Sequence, residues 1–378
     1  MPLLPGTTIG MLGGGQLGRM FGYAAKRLGY NVITLDPTPT CPMAQVVDEQ
    51  IVAAYDDVNA AKELAKRCQV ISYEFENVAV KLVDTITATT PVYPGAKALA
   101  VSQHRWREKD LFKKCSIPVT PFYQVATETD LEQAEKTIGY PAVLKTCQFG
   151  YDGKGQYVIN NTNEAKTAFT KLNKQELIWE KKVDFVKEIS VICVRGQNGE
   201  TVTYPVSENI HVNNILDITI VPARISKSST QQAHDIAKMI AKELDIIGTF
   251  CVELFVLADG TVMANEIAPR PHNSGHYSIE ACYCSQFENQ LRAICGLPLG
   301  SPDLRYGTAV MINILGTGTG NTLSGVDQLM NNKNAYLHLY GKAEAKAARK
   351  MGHFTVIGDD IETLLQQAQE IRKNLKWV

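Results

Sequence analysis

A glycine-rich segment near the middle of the chain carries residue types that can hold phosphate groups. Residues 148–156 read QFGYDGKGQ and contain Gly150, Gly153, Gly155 and Lys154. Glycines permit positive φ and close backbone approach, and a lysine supplies a mobile cation. Lys145 lies near the end of the apolar run AVLKT, just before this segment. A triphosphate is the ligand this arrangement favours, although an ordinary glycine-rich hairpin has the same loop pattern.

Two acidic side chains stand in neighbouring apolar runs further along. Glu253 lies in CVELFV and Glu266 in VMANEIAPR, with an Asp-Gly pair at 259 and 260 between them. Because Asp-Gly predicts a hairpin turn, both carboxylates, with Asn265, are expected on one side of a sheet. Mg²⁺ prefers one or two carboxylates together with phosphate oxygens. We therefore interpret the two glutamates as metal ligands; the alternative is two surface residues.

The polar segment PRPHNSGH, residues 269–276, follows directly. His272 and His276 have the four-residue spacing of a helical zinc site, but prolines at 269 and 271 disfavour a helix. We interpret the segment as a loop that binds a polar substrate through Arg270, His272 and Asn273. A second basic segment, YGKAEAKAARKMGH, holds Lys342, Lys346, Arg349 and Lys350, and its glycines at 341 and 352 favour a loop over a solvated helix face.

Near the start of the chain, MLGGGQLGR places Gly13, Gly15 and Gly18 in a G-x-G-x-x-G pattern. An apolar strand precedes these glycines and a helix from about Gln16 follows, so backbone N–H groups can face an anion there. The next predicted strand, NVITLD, ends at Asp36, close to the spacing of an acid that binds a ribose. Two interpretations stay open from these residues: a dinucleotide site, or a tight turn that serves another ligand.

The predicted elements divide the chain into three units. Apolar runs alternate with helical stretches over residues 7–94, which predicts a parallel sheet covered by helices, closed by TTPVYPG. In the middle, AVLKT, QYVI, ELIWEKKV and EISVICVRG predict mostly antiparallel strands, and TQQAHDIAKMIAKELDII predicts a helix. After CGLPLG, short strands and a helix over about 361–373 predict a smaller unit. We expect domains at 1–98, 99–297 and 298–378.

Composition excludes several classes of protein. The 378 residues include 38 Lys and Arg against 39 Asp and Glu, so no global field recruits nucleic acid or an anionic membrane. The opening MPLLPG lacks the pattern of a signal peptide, and no apolar run of about 18 residues occurs. Nine scattered cysteines without a C-x-x-C pair suggest free thiols. We expect a cytoplasmic protein that does not bind membranes or nucleic acid.

Five motifs, in order over nearly the whole chain, resemble the ATP-grasp superfamily and, within it, the 5-(carboxyamino)imidazole ribonucleotide synthase family. They are GGGQLGRM, YEFENV, GYDGKGQ, NEIAPRPHNSGHY and YGKAEA...RKMGH. The resemblance implies a fold of α/β and α+β class, with a dinucleotide-like N-terminal domain, a central ATP-grasp domain and a small β-rich C-terminal domain. It also implies that the N-terminal turn holds a phosphorylated ribonucleotide and no nicotinamide.

The activity implied is ATP-dependent carboxylation of 5-aminoimidazole ribonucleotide with bicarbonate, through carboxyphosphate, in de novo purine biosynthesis. The resemblance further implies ATP, two Mg²⁺ ions and a homodimer. For ATP it implies contacts with Arg105, Lys145, Gly150, Gly153, Lys154, Gly155, Gln156, Glu180, Lys181, Val183, Glu188, His211 and Asn265, with Glu253 and Glu266 holding the metal. For bicarbonate and carboxyphosphate it implies the catalytic residues Arg270, His272, Asn273 and Lys342. For the ribonucleotide it implies Gly15, Gln16, Glu74, Tyr151, Asp152, Arg349 and Lys350.

One position departs from the family pattern. Where Arg-x-Gly-Arg-Lys is expected, residues 346–350 read KAARK, so Ala348 replaces a glycine. Because alanine resists positive φ, this substitution bears on the backbone conformation of the loop more than on its phosphate contact, and the charge is retained.

Three other functions are compared with this one. Another ATP-grasp ligase, such as a biotin carboxylase-like or formate-using enzyme, would share the fold and the ATP residues. An NAD-dependent oxidoreductase would leave the 148–156 segment and both strand glutamates without a use. A catalytically silent ATP-binding regulator is disfavoured because both candidate metal carboxylates, Glu253 and Glu266, are present. Both lysines at the glycine-rich segment, Lys145 and Lys154, are present as well.

Overall fold

The computed structural model describes residues 1–148, 155–172 and 175–378. Its strands are β1 (Thr8–Leu12), β2 (Asn31–Leu35), β3 (Glu49–Ile51), β4 (Val70–Tyr73), β5 (Phe122–Val125), β6 (Ala142–Thr146), β7 (Gln156–Ile159), β8 (Leu177–Lys181), β9 (Lys187–Arg195), β10 (Thr201–Thr203), β11 (Ser207–Val212), β12 (Ile215–Val221), β13 (Gly248–Val256), β14 (Val262–Ala268), β15 (Thr308–Leu315), β16 (Leu323–Ser324), β17 (Ala335–Leu339), β18 (Lys350–Gly358) and β19 (Lys376–Trp377). Its helices are α1 (Gln16–Arg27), α2 (Val58–Arg67), α3 (Val80–Thr87), α4 (Ala96–Ser102), α5 (Arg105–Lys114), α6 (Glu128–Ile138), α7 (Thr162–Lys171), α8 (Lys227–Glu243), α9 (Ser278–Ala281), α10 (Gln286–Ile294), α11 (Val326–Met330) and α12 (Ile361–Asn374), with a 3-10 helix over Asn273–Gly275.

The N-terminal unit is the parallel sheet that its alternating pattern predicts. Its strands run in the order β3-β2-β1-β4, and all three pairings are parallel. Helix α1 buries Leu17, Phe21 and Ala25, which share one face because they are four residues apart. The carboxyl end of β1 therefore leads straight into the N-terminus of α1, at the edge where parallel sheets bind ligands.

A four-stranded antiparallel sheet, in the order β5-β8-β6-β7, forms the first part of the middle region. Along β6 buried and half-buried residues alternate, so Ala142 and Leu144 face the core while Lys145 lies on the other face. Trp179 on β8 is fully buried in the same core. Helices α4 and α5 follow the parallel sheet in the chain and are separated at His104, which has an extended backbone conformation.

A larger sheet of nine strands runs β14-β13-β9-β11-β12-β15-β18-β17, with β10 beside β9. The predicted turn at residues 259–260 joins β13 to β14, which confirms that hairpin. Because β15 pairs with β12, the C-terminal strands extend the sheet that also carries Glu253 and Glu266. The division at residue 297 stays a prediction, since the backbone ladder is continuous across it.

The main core lies between this sheet and helices α5 and α8. It includes Phe112, Ile240, Phe250 and Val252, all fully buried. Ser226 caps α8 by accepting from the backbone N–H of Ser229, which satisfies one free donor of the helix start. All nine cysteines are free, as predicted. Among the described residues, no helix has the length and apolar character needed to cross a membrane.

Candidate active site

Two lysines converge on one glutamate where β6, β8 and α5 meet. Lys145 Nζ lies 2.9 Å from Glu180 Oε2, and Lys109 Nζ lies 3.8 Å from the same oxygen. Lys109 also donates to the backbone oxygen of Asn265 at 2.9 Å. Burial raises the pKa of Glu180, but the neighbouring cations, Arg105 among them, outweigh burial and lower it to about 2. Glu180 Oε1 has no partner among the described residues, so it can accept from a bound ligand.

The two strand glutamates face each other across the β13–β14 hairpin. Glu253 and Glu266 are direct partners in the antiparallel register, which puts their side chains on the same face. Arg105 Nη1 lies 3.1 Å from Glu266 Oε2. Among the described residues, no group of three or more His, Cys, Asp or Glu side chains could hold a metal. Two facing carboxylates fit Mg²⁺ when phosphate oxygens complete its shell.

His272 reaches the same place from the loop after β14. Its Nε2 lies 3.1 Å from Glu253 Oε1, and its backbone N and O both bond to the Gln286 side chain. Burial lowers the pKa of His272, but the Cys251 sulfur and Glu253 raise it, and the net shift is upward. Burial raises the pKa of Glu253, but His272 and His211 lower it to about 2. Glu253 is thus an anion at neutral pH, as a metal ligand must be.

His276, four residues beyond His272, has different neighbours. Its ring lies against that of His353, with centroids 4.7 Å apart, and its Nδ1 lies 3.3 Å from Gln286 Nε2. Burial lowers the pKa of His276 well below its usual range. The segment between the two histidines, Asn273–Gly275, is a 3-10 helix and not an α-helix, and the two rings have different partners.

A glutamate from the N-terminal unit clamps Arg270. Arg270 Nε and Nη2 both bond to the Glu76 carboxylate, the second at 2.9 Å. Burial raises the pKa of Glu76, but Arg270 outweighs burial and lowers it. Asn273, three residues further along the loop, is buried, and its Nδ2 lacks a partner among the described residues. Arg270 and Asn273 therefore present donors suited to a small anion.

Glu188 and His211 form an ion pair between β9 and β11, with Nδ1 in contact with Oε2. Burial lowers the pKa of His211, but Glu188 outweighs burial and raises it. Lys181, at the end of β8, uses its groups within the protein: Nζ donates to the Tyr140 carbonyl at 2.6 Å, and its own carbonyl accepts from Thr120 Oγ1 at 2.8 Å. Its proposed contact with adenine therefore stays a prediction.

The Glu74 carboxylate caps the N-terminus of α1. The backbone N–H groups of Gly15 and Gly18 both donate to it, the second at 2.7 Å. This is the position where a helix N-terminus binds an anion. A Cβ on Gly15 would lie 2.5 Å from Glu74 Oε1, so a larger residue would displace the carboxylate. Burial raises the pKa of Glu74, and its backbone hydrogen bonds only partly offset that effect. Gln16 is the first residue of the helix.

Asp36, the residue that suggested a ribose contact, has its oxygens engaged within the protein. Its Oδ2 accepts from Gly14 N at 2.8 Å and from Tyr55 Oη at 2.5 Å, and its Oδ1 accepts from Thr38 N at 2.8 Å. The residue is also buried. These contacts favour the tight-turn interpretation of the glycines over a dinucleotide site.

The basic loop between β17 and β18 lies against the N-terminal unit. Gln45 Nε2 donates to the Gly341 carbonyl at 2.9 Å, and Lys342 Nζ donates to the Lys350 carbonyl at 2.6 Å. Burial lowers the pKa of Lys342 to about 8, although the nearby Glu74 acts in the opposite direction. The loop therefore brings Lys342 to the same place as the cap of α1.

The backbone conformation of Ala348 is the one point on which this loop departs from the usual preference of its residue type. Ala348 has φ of 63°, so the alanine adopts the left-handed conformation that a glycine would take. Two backbone bonds hold it there, since Ala348 N donates to Gly316 O at 3.0 Å and Gly316 N donates to Arg349 O at 2.8 Å. Arg349 itself is exposed, and Lys350 begins β18.

Five predicted site residues lie outside the described part of the chain: Gly150, Tyr151, Asp152, Gly153 and Lys154. The described residues beside them are Gly155, with φ of 71°, and Gln156, which pairs with Lys145 in the β6–β7 register. Val183, half-buried, lies in the connection between β8 and β9.

Comparisons with known proteins identify the family. The ribonucleotide synthetase preATP-grasp domain matches residues 6–103, the ATP-grasp domain 110–287, and the phosphoribosylaminoimidazole carboxylase C-terminal domain 309–367. The N5-carboxyaminoimidazole ribonucleotide synthase of Bacillus subtilis (strain 168) is 42% identical over 365 residues, 97% of this chain and 95% of the relative. The chain belongs to the N5-carboxyaminoimidazole ribonucleotide synthase family.

Solved structures of this synthase family agree with the fold. An ADP complex of N5-carboxyaminoimidazole ribonucleotide synthetase superposes with a TM-score of 0.93 at 47% identity, covering 98% of this chain and 97% of the other. The Aspergillus clavatus synthase in complex with ADP and 5-aminoimidazole ribonucleotide has a TM-score of 0.91 at 32% identity, covering 98% and 100%. As a member of the synthase family, the chain is an ATP-grasp ligase.

Sequence reasoning missed three residues that organise this synthase site: Lys109, Glu76 and Ser274. Lys109 stands in a run of charges typical of an exposed helix, yet it is fully buried. Glu76 belongs to YEFENV, where a single residue separates it from Glu74. This pair of glutamates is the signal that could have identified Glu76 as a site residue. Ser274 sits between Asn273 and Gly275 in PRPHNSGH, and nothing in its residue type marks its contact with His272.

Proposed function

We propose that the chain carboxylates 5-aminoimidazole ribonucleotide with bicarbonate and ATP, giving N5-carboxyaminoimidazole ribonucleotide, ADP and phosphate. The observation that carries the proposal is the pairing of Glu253 with Glu266 on one sheet face, between a cation-lined cleft and the loop of Arg270 and His272. This arrangement supports the proposal because it suits a triphosphate terminus that lies beside a small anion. Solved relatives named for this reaction hold ADP, or ADP with the ribonucleotide.

In this proposal the ATP phosphates lie near Lys145 and Arg105, whose charges oppose the charge of the transferring group. Glu180 Oε1 accepts from the adenine amino group, and Glu188 accepts from the ribose. Glu253 and Glu266 would hold Mg²⁺, for which the resemblance implies two ions. When bound, the metal neutralises charge on the β- and γ-phosphates. Gly150, Gly153 and Lys154, outside the described residues, complete the phosphate contacts.

A bicarbonate oxygen attacks the γ-phosphorus, the bond to ADP breaks, and carboxyphosphate forms. Arg270, His272 and Asn273 bind its oxygens, because a growing negative charge requires fixed donors. The ribonucleotide amine then takes the carboxyl carbon, phosphate leaves, and the amine loses one proton. Lys342 reaches the same space from the basic loop. The glycine-rich segment 148–156 is proposed to exclude water from the labile carboxyphosphate intermediate.

The ribonucleotide itself is proposed to lie between the α1 cap and the basic loop. Gly15 and Gln16 then face its phosphate together with Arg349 and Lys350, and Glu74 accepts from the substrate in place of its present backbone donors. Tyr151 and Asp152, which the structure does not describe, are proposed to contact the aminoimidazole. Mg²⁺, bicarbonate, the homodimer and the cytoplasmic location come from the family resemblance and remain predictions.

The direct test measures phosphate released from ATP with each substrate omitted in turn. We expect release to need both bicarbonate and 5-aminoimidazole ribonucleotide, and carboxylated product to match phosphate one to one. Another ATP-grasp ligase would require a different acceptor, a silent regulator would release no phosphate under any condition, and an oxidoreductase would need a nicotinamide. Phosphate release at the same rate with and without bicarbonate would refute the proposed carboxylation.

The metal assignment has its own test. Glu266→Ala is expected to lower kcat by orders of magnitude, because a ligand of the metal that neutralises the phosphoryl charge is lost. Glu243→Ala, an exposed glutamate at the end of α8, is the control and should leave kcat within about twofold. Unchanged turnover in Glu266→Ala would remove the metal assignment.

A further inference from the structure

A row of buried polar side chains runs beneath the central sheet face towards His272. It consists of Thr219 on β12, Asn209 on β11, Ser190 on β9 and Ser274 in the 3-10 helix, and none is more than 6% exposed. The links measure 3.3 Å from Thr219 Oγ1 to Asn209 Oδ1, 2.9 Å from Asn209 Nδ2 to Ser190 Oγ, and 2.7 Å from Ser190 Oγ to Ser274 Oγ. The reaction proposed above uses none of these four residues.

The hydrogens in this row all point the same way. Thr219 donates to the amide oxygen of Asn209, so the Asn209 amide nitrogen donates to Ser190. Ser190 therefore passes its single hydroxyl hydrogen on to Ser274. The hydrogen of Ser274 then remains for His272 Nδ1, which lies 2.9 Å from Ser274 Oγ. The only other contact of that oxygen outside the row is the distant Cys251 sulfur, at 3.9 Å, among the described residues.

A second donor faces the same ring nitrogen. The backbone N–H of Ser274 donates to His272 Nδ1 at 3.3 Å. An N–H group cannot donate to a nitrogen that carries its own hydrogen, so Nδ1 has to be the acceptor. The neutral ring then bears its hydrogen on Nε2, the atom that lies 3.1 Å from Glu253 Oε1.

We propose that the Thr219–Asn209–Ser190–Ser274 row is a positioning chain that fixes His272 as the Nε2–H tautomer, so that His272 serves as a hydrogen-bond donor and not as a base. This inference rests on the proposed function, because the Nε2 hydrogen that faces Glu253 in the structure would be donated to an oxygen of bicarbonate or carboxyphosphate once Glu253 holds the metal. Gln286 supports the same orientation by bonding both backbone groups of His272. The hydrogen stays on Nε2 throughout, and its role is to stabilise negative charge.

The sharpest variant is Asn209→Asp, which keeps the shape and replaces a donor by an acceptor. Ser190 then donates to the new carboxylate and Ser274 donates to Ser190, so Ser274 Oγ is free to accept from Nδ1. Only the longer backbone N–H contact, at 3.3 Å, then opposes a hydrogen on Nδ1. The ring tautomer is inverted, so Nε2 faces the substrate without a hydrogen. Ser274→Ala is the second variant; it removes the last hydroxyl and does not depend on a buried carboxylate being tolerated.

The readout is the pair of ring ¹⁵N shifts of His272 in the full chain with MgADP, labelled at histidine and assigned with His272→Gln. In the unmodified chain we expect an unprotonated Nδ1 and a protonated Nε2, and in Asn209→Asp the reverse. We also expect kcat for product formation to fall about 10- to 100-fold in both variants, with KM for ATP unchanged within about twofold. Ser229→Ala, a buried hydroxyl that bonds to Gly260, is the control and should alter neither readout.

Substitutions of His272 distinguish a hydrogen-bond donor from a base, because an amide can replace the donor but not the base. His272→Gln places an amide N–H near the position of Nε2 and should retain more activity than His272→Asn, which cannot reach it. A protonated Nδ1 in the unmodified chain, or unchanged shifts and kcat in both Asn209→Asp and Ser274→Ala, would overturn the proposal. Because the NMR measurement uses no bicarbonate or ribonucleotide, failure of the proposed reaction would not by itself change its result.

Discussion

Ala348 offers a prediction whose sign can be worked out from the backbone. Its φ of 63° places an alanine in the left-handed region, which costs ~1–2 kcal/mol relative to a glycine. Ala348→Gly removes that strain but gives the unfolded chain more freedom, which costs ~0.4–1 kcal/mol. The methyl group is exposed, so little apolar burial is lost. The net change is a stabilisation of about 0.5–1 kcal/mol.

The assay is calorimetry of the full chain, read at the transition that includes the basic loop. We expect Ala348→Gly to raise Tm by about 1–3 °C. Its neighbour Ala347 is also exposed but does not have positive φ, so Ala347→Gly should lower Tm by a similar amount. KM for the ribonucleotide should change less than about twofold in Ala348→Gly, because the loop already has the glycine-like conformation. Equal losses of Tm in both variants would refute the reasoning.

Three further predictions concern charge. Lys342 has its pKa lowered to about 8 and loses its proton as pH rises through that value. KM for bicarbonate should therefore rise above pH 8, and Lys342→Arg should move that rise to higher pH in a pH series of initial rates. Glu76→Gln removes the anion that holds Arg270 in position, so KM for bicarbonate should rise about tenfold or more while KM for ATP changes little. Equal changes in both KM values would contradict the role of Glu76 in positioning Arg270. Lys109→Met leaves the Glu180 carboxylate with one fewer cation, so chemical denaturation should show that the free energy of unfolding falls by about 3–5 kcal/mol. A fall of less than about 1 kcal/mol would contradict a stabilising interaction between Lys109 and Glu180.

Local patterns predicted the elements that carry the site. The parallel N-terminal sheet, the hairpin at residues 259–260 and the loop character of 341–349 follow from apolar spacing, Asp-Gly and flanking glycines, and the structure confirms each. Glu253 and Glu266 share a face because a two-residue period and one turn fix their register. Such features depend on neighbours close in sequence, which is why the sequence alone was enough.

Contacts between distant segments could not be predicted in the same way. The partners Arg270 and Glu76 are 194 positions apart, and Lys109 reaches Asn265 across 156. Strand patterns likewise predict that β15 exists but not that it joins β12. A period of two residues identifies a strand and its faces, whereas the choice of neighbour depends on packing over the whole chain.

The central claim, that bicarbonate is activated by taking the γ-phosphoryl group of ATP, is tested most directly with ¹⁸O-labelled bicarbonate. The chain, ATP, Mg²⁺ and 5-aminoimidazole ribonucleotide are mixed with the labelled salt, and the released phosphate is analysed by mass spectrometry. Attack by a bicarbonate oxygen on phosphorus predicts one ¹⁸O atom in each phosphate formed. Unlabelled phosphate released in step with carboxylated product would contradict the account.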